Sequence, residues 1–387
     1  MGIGSKPLLR SCSRKRASRA KAWVPAFRLR RGCGGLGPKP VEASWRRRVA
    51  GTSGVAALAL ALLALLTPAA AQFGPPELIE AARQEGKLVF YSANVAESEK
   101  PILDAFNKRF PFVKIEFLRA PGNQLLQRVK TEAAAGKLLA DVIDHSDRAL
   151  MREIENIFRD YAPPNAADYL PEALASPKLW PRSTVVWSIA YNSELMKNPP
   201  KSWMDLTKPE YGNKQIGQVI APSGGTTWTR AMFERQAVDP DYWRKQAATT
   251  PVLFPSNAPT SDALVRGEIV IAPLLYNAIF PKLRDGAPVK VFFAPEGAPM
   301  TPFAAGIPKT AAHPNAAKLF LNWCLSEEGQ ATMIREIGNL TSLKKAPLYP
   351  EGFDPNVVKV WVPKYDEFVK LQREWLEEWN RIYGYRQ

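Results

Sequence analysis

Between residues 87 and 157 the chain alternates three short apolar runs with three amphipathic segments. That alternation restricts its fold more than any other feature. The runs "KLVFYSA" (87–93), "VKIEF" (113–117) and "ADVID" (140–144) have the length and composition of strands. The segments between and after them, about 97–109, 123–136 and 147–157, read as helices. Ile102, Leu103, Ala105 and Phe106 fall at helical spacing in the first, and Gly136 closes the second. Such a series predicts a parallel sheet with helices on both faces.

The period is lost over 161–182, a stretch of prolines and aromatics that reads as a crossover. "STVVWSIAYN" (183–192) then restarts the sheet with β-branched residues. Strands are predicted near 217–221, 251–254, 268–273 and 289–293, alternating with helices near 225–237, 260–266 and 276–284. "FAAGIP" (303–308) reads as one more strand, before helices at 314–325 and 327–337. The last segment, 363–383, is amphipathic, with Trp375 and Trp379 one turn apart on a stripe expected to pack onto the body.

Charge bears on partners only once its position is known. The 387 residues carry a formal +15, but residues 1–48 hold +13 of it and residues 49–71 are uncharged. A nearly balanced body offers no footprint for nucleic acid. Arg46-Arg47-Arg48, the apolar stretch Val55–Leu66 and Thr67-Pro68-Ala69-Ala70-Ala71 have the layout of a secretory signal cut before Gln72. The apolar run is short against the roughly 20 residues of a membrane span. Residues 1–71 are therefore expected to be an upstream extension and a cleaved signal. Cys12 and Cys33 lie in that part, which leaves Cys324 alone in an apolar helix and no disulfide within the chain.

Catalytic patterns are missing from the rest. His145 and His313 show no metal spacing, and Cys324 has no adjacent base. "SGGTTW" lacks the lysine and spacing of a phosphate-binding loop, and there is no Gly-x-Ser-x-Gly elbow. No catalytic residue and no cofactor is predicted. What remains is polar residues after strands: Ser92 and Asn94; His145, Ser146 and Asp147; Ser223, Gly224, Gly225, Thr226 and Thr227; Tyr276 and Asn277. Each cluster alone could be a helix cap. Together they suit an open α/β sheet, which binds ligands beyond its strand ends.

The stretches "KLVFYSANVAESEKPILDAFNKRFP", "ALVRGEIVIAPL" and "GIPKTAAHPNAAKLFLNWCLSEEGQ" resemble periplasmic solute-binding proteins of ABC importers. The resemblance covers about residues 85–340 and points to the ferric-iron-type branch, whose members also carry thiamine, phosphonates or sugar phosphates. It implies an α/β periplasmic-binding-protein type II fold: two lobes, each with a mixed, mainly parallel sheet flanked by helices, joined by a two-strand hinge. Residues 75–182 with 302–345 would form one lobe, and 183–301 with 346–387 the other. It also implies a periplasmic monomer that hands its solute to an inner-membrane permease and ATPase.

The solute is read from the departures. Ferric-binding relatives place adjacent tyrosines where this chain has "PLLYNAIF" (273–280), and only Tyr276 remains. A hard ferric ion needs several anionic oxygens. Iron held by Tyr276 and a synergistic anion is therefore the alternative, beside an exported enzyme or a sensor subunit on the same fold. If residues 223–227 open a helix, their free N–H groups and hydroxyls would cradle a carboxylate or phosph(on)ate. A small organic anion, bound by Ser92, Asn94, Ser146, Asp147, residues 223–227 and Tyr276, is the expectation.

Overall fold

Strand β1 (Lys87–Ser92) carries Phe90, Tyr91 and Ser92 buried in succession, the pattern of a strand covered on both faces. It belongs to a computed structural model that describes residues 73–386 except Val95, Pro121 and Lys214. The expected signal and extension lie outside the described residues. Helix α1 (Pro76–Glu85) precedes β1, and α2 (Ala96–Arg109), β2 (Lys114–Arg119), α3 (Gly122–Ala134), β3 (Val142–His145) and α4 (Arg148–Glu153) follow it. Short 3-10 turns fill the aperiodic stretch up to β4 (Trp180–Asn192). Next come β5 (Gly217–Val219), α5 (Gly225–Phe233), α6 (Tyr242–Ala247), β6 (Val252–Phe254), α7 (Asn257–Arg266), β7 (Ile271–Leu275), α8 (Tyr276–Arg284) and β8 (Val289–Phe292). The chain ends with β9 (Ala298–Gly306), α9 (Pro314–Leu325), α10 (Glu327–Ile337), β10 (Val360–Trp361) and α11 (Tyr365–Tyr383).

The sheet is mixed. Its order is β2-β1-β3-β9-β4-β7, with β8 also paired to β4 and β10 to β9. β1, β2 and β3 pair in parallel, as their alternation with helices predicts. Every pairing made by β4 is antiparallel, to β7, β8 and β9. The sheet is thus mixed, as the resemblance implies, with antiparallel pairings gathered on β4 and β9. The reason is connectivity: β4 and β9 are long strands that run through the middle of the sheet in opposite directions. β5 and β6 form a separate parallel pair.

Between Pro181 and Thr184 the β4–β9 register shifts, so Arg182 and Ser183 stand opposite Phe303 alone. A bulge of this kind bends the strand and re-aims its side chains. Apolar packing falls on either side of it. On one side Phe90, Phe106, Phe320 and Trp323 pack with α9, and Leu125, Ile143, Met151 and Phe158 form a neighbouring cluster. On the other, Trp187, Trp203, Trp228, Phe233 and Trp243 are buried with Trp379 of α11. The aromatic stripe of α11 is spent here, since Trp375 meets Trp228 and Trp243 edge-on. Cys324 is buried in α9.

Candidate functional site

Two helix starts converge on the turn that follows β3. His145 Nδ1 accepts from the Asp147 N–H at 2.8 Å, which fixes the turn. Asp147 Oδ1 accepts from the N–H groups of Ala149 and Leu150, so its side chain caps α4. Against this turn lies Gly225, the first residue of α5. A Cβ placed on Gly225 would stand 3.0 Å from the Ser146 carbonyl oxygen and 3.2 Å from Asp147 Cα. Gly122, the first residue of α3, approaches the other side, where a Cβ would be 2.9 Å from His145 Nε2. A side chain at either start would press on the turn, so glycine lets the helix starts approach this closely.

The α5 start differs in detail from a set of outward-facing hydroxyls. Gly224 is exposed and Thr226 half-exposed. No side chain caps the helix, and its first-turn N–H groups have no intrahelical acceptor. Thr227 Oγ1 instead turns inward, 2.8 Å from the carbonyl oxygens of both Ala221 and Gly224. Ser223 Oγ donates to the Pro255 carbonyl at 2.5 Å. The indole of Trp187 donates to the Thr226 carbonyl at 3.0 Å, which ties α5 to β4.

Ser92 and Asn94 stand apart from this junction. Both are buried beside Glu99, whose Oε1 accepts from Asn94 Nδ2 at 3.1 Å and lies 3.2 Å from Ser92 Oγ. Tyr276 is buried between Phe280 and Phe293, and burial raises its phenol above the ordinary value. A phenolate is thereby disfavoured. Among the described residues no group of three or more His, Cys, Asp or Glu is placed to hold a metal ion. His313, the N-cap residue of α9, is held by Asp141: its Nδ1 lies 2.8 Å from Asp141 Oδ2 and its N–H donates to Asp141 Oδ1. Also among the described residues, no helix is long and apolar enough to cross a membrane.

Sequence reasoning passed over Tyr365, the first residue of α11. Its ring faces the guanidinium groups of Arg152 at 5.2 Å and Arg148 at 6.0 Å, both on α4. The two arginines are anchored to the carbonyls of Glu172, Leu174 and Ala175. An aromatic at the start of a stripe carries no local sign of this. A surface cavity of about 490 Å³ also exists, lined in part by Tyr161, Asn315, Lys318 and Asn322. It lies outside α1 and α9, away from the strand ends.

Residues 92–331 match the family of bacterial extracellular solute-binding proteins. An uncharacterized protein of Haemophilus influenzae is 29% identical over 195 residues, 48% of this chain and 55% of that protein. The chain thus matches about half the length of that curated relative. Among solved structures, a substrate-binding protein of an ABC transporter from Agrobacterium tumefaciens has a TM-score of 0.64 and 15% identity, covering 77% of this chain and 94% of that one. The periplasmic binding protein AfuA from Actinobacillus pleuropneumoniae, solved with exogenous fructose-6-phosphate bound, has a TM-score of 0.62 and 21% identity. It covers 78% of this chain and 99% of its own.

Proposed function

The chain belongs to the bacterial extracellular solute-binding proteins, and from that premise we propose that it captures a small organic anion and delivers it to an ABC permease. The proposed lobes are residues 75–182 with 302–345 and residues 183–301 with 346–387, hinged where β4 and β9 pass between them. The carrying observation is the close approach of Gly225 to the Ser146–Asp147 turn. It is a lobe-to-lobe contact at which a helix start meets a strand end. Uncapped N–H groups at a helix start favour an anion by about 0.3–1 kcal/mol, up to about 2 when partly buried. Ser146, Gly224, Gly225 and Thr226 are the proposed contacts, with the Asp147 charge already taken up by the α4 amides.

Ser92, Asn94 and Thr227 support this reading from behind, as side chains that hold the strands and the α5 turn in place. AfuA was solved with a sugar phosphate, an anion of the proposed class. Iron held through Tyr276 is the weaker reading, since that phenol is buried among rings. Export to the periplasm with a mature start at Gln72 is part of the same proposal, and sequencing the N-terminus of the exported protein checks it.

Native mass spectrometry of the purified protein, compared with its denatured mass, tests the solute. A carboxylate or phosph(on)ate adduct is expected. A polyamine adduct, or an iron adduct with a tyrosinate absorption band, would overturn the anion reading.

A further inference from the structure

Behind the site turn lies a buried cluster with one cation and two acids. Arg182, at the β4 bulge, donates through Nη2 to Glu99 Oε1 of α2 and to Asp144 Oδ2 of β3, the latter at 2.5 Å. All three side chains are almost wholly buried. Ser92 Oγ of β1 reaches both acids, at 3.2 and 3.5 Å. The guanidinium stands 4.9 Å from the Phe90 ring. Cys324 of α9 and His145, next to Asp144 on β3, are titratable neighbours: burial pushes the thiol up to about 12 and lowers the imidazole, which favours the neutral form of both. Asp144 Oδ1 and Arg182 Nε are buried with no hydrogen-bond partner.

We infer that this cluster is a positioning device with one negative charge too many, and that a proton on Asp144 sets how firmly the site turn is held to the hinge. Two features of placement carry it. Asp144 directly precedes His145-Ser146-Asp147, so its carboxylate and the turn share one strand end. Arg182 occupies the bulge where β4 changes register against β9, so the same ion pair ends on the hinge. With both acids ionised, one guanidinium faces two carboxylates in a site that excludes water. A proton on Asp144 leaves one carboxylate for Arg182 and supplies an O–H donor. Burial raises Asp144 to about 6, with Arg182 opposing the rise and Glu99 adding to it.

The inference rests on the solute reading only for the role of the turn, and its test needs no solute. Hydrogen exchange of the amides of residues 145–150, corrected for intrinsic rates, is followed from pH 8 to pH 5. In the wild type, protection of the turn rises about threefold or more as pH falls, from local openings that become rarer. Asp144→Asn is expected to show the protected behaviour at both ends of the range. Its Tm should exceed the wild type by about 2–4 °C at pH 8, and that advantage should shrink by about half at pH 5. Should Asp144→Asn fail to fold, Glu99→Gln removes the other excess acid and must flatten the same pH dependence. Turn protection that is independent of pH in the wild type, or unchanged pH dependence in the variant that folds, would overturn the inference. Either result leaves the solute reading standing, because no solute is present.

Discussion

Two buried arginines divide the molecule between them, and they are balanced differently. Arg230 and Glu234 pair at 2.5 Å across one turn of α5 and its extension, both fully buried, one charge against one. Arg230 also donates to the Val219 carbonyl at 2.7 Å and stands 5.1 Å from the Trp187 ring. Arg182 stands over Phe90 in a matching way, but it serves two acids that come from distant parts of the chain. The Arg230 pair is local and neutral. The Arg182 cluster ties α2, β3 and β4 together and is not neutral. The first holds a single helix, whereas the second sits at the β4 bulge beside the strand that leads into the Ser146–Asp147 turn.

The largest effect expected from breaking this contrast comes from Arg182→Met. It strands the two buried carboxylates of Glu99 and Asp144 and should cost about 3–5 kcal/mol or more in denaturant unfolding. Next is the pair Glu234→Gln and Asp144→Asn, compared at pH 8. Glu234→Gln leaves Arg230 buried without its partner and should destabilise by about 3 kcal/mol. Asp144→Asn should stabilise by about 1–3 kcal/mol, because Arg182 keeps Glu99. The sign follows from the raised Asp144 value. The folded protein holds that proton more tightly than the unfolded chain, whose value is 3.8. Its contribution is full below pH about 4 and is lost as pH rises through about 6, so the advantage of asparagine shrinks on acidification. If both variants shift stability in the same direction at pH 8, the contrast between the two centres is wrong.

The smallest effect concerns Cys324, which lies beside the Arg182 cluster. With its thiol pushed up to about 12 by burial, it should resist alkylation at pH 8 in the folded protein and react once urea unfolds it. Labelling of native protein at a rate close to that of the unfolded chain would show that α9 opens readily around Cys324.

Elements with a clear period were legible in the sequence, and α8, α9 and α10 lie where the spacing places them. What local pattern could not show was direction. "STVVWSIAYN" reads as a strand whichever way its neighbours run, and only the tertiary path makes β4 antiparallel to β7, β8 and β9. The α5 helix also ends in a π-helical turn at Glu234–Val238, a choice tied to the Arg230–Glu234 pair that no periodicity records.

For the site, glycines and hydroxyls announced a special turn, but not which groups face outward. Thr226 and Thr227 are adjacent and chemically identical, yet only Thr227 is drawn in by the carbonyls of Ala221 and Gly224. Ser92 follows a strand as a site residue would, but its partner Glu99 lies seven positions on, and the guanidinium that organises both is 83 residues from Glu99. Partners at that separation leave no local signature. Tyr365 was hidden for the same reason.

We propose an anion site where Gly225 meets the Ser146–Asp147 turn. Its most direct test is a thermal-shift panel of phosphates, phosphonates and carboxylates, with amines and neutral sugars beside them, on the wild type and on Gly225→Ala. In the variant the new methyl would stand 3.0 Å from the Ser146 carbonyl oxygen and press the start of α5 away from the turn. At least one anion should raise the wild-type Tm, and that shift should fall away in Gly225→Ala while the solute-free Tm changes little. A shift produced only by amines or neutral sugars, no shift at all, or an anion shift that Gly225→Ala retains would contradict the account.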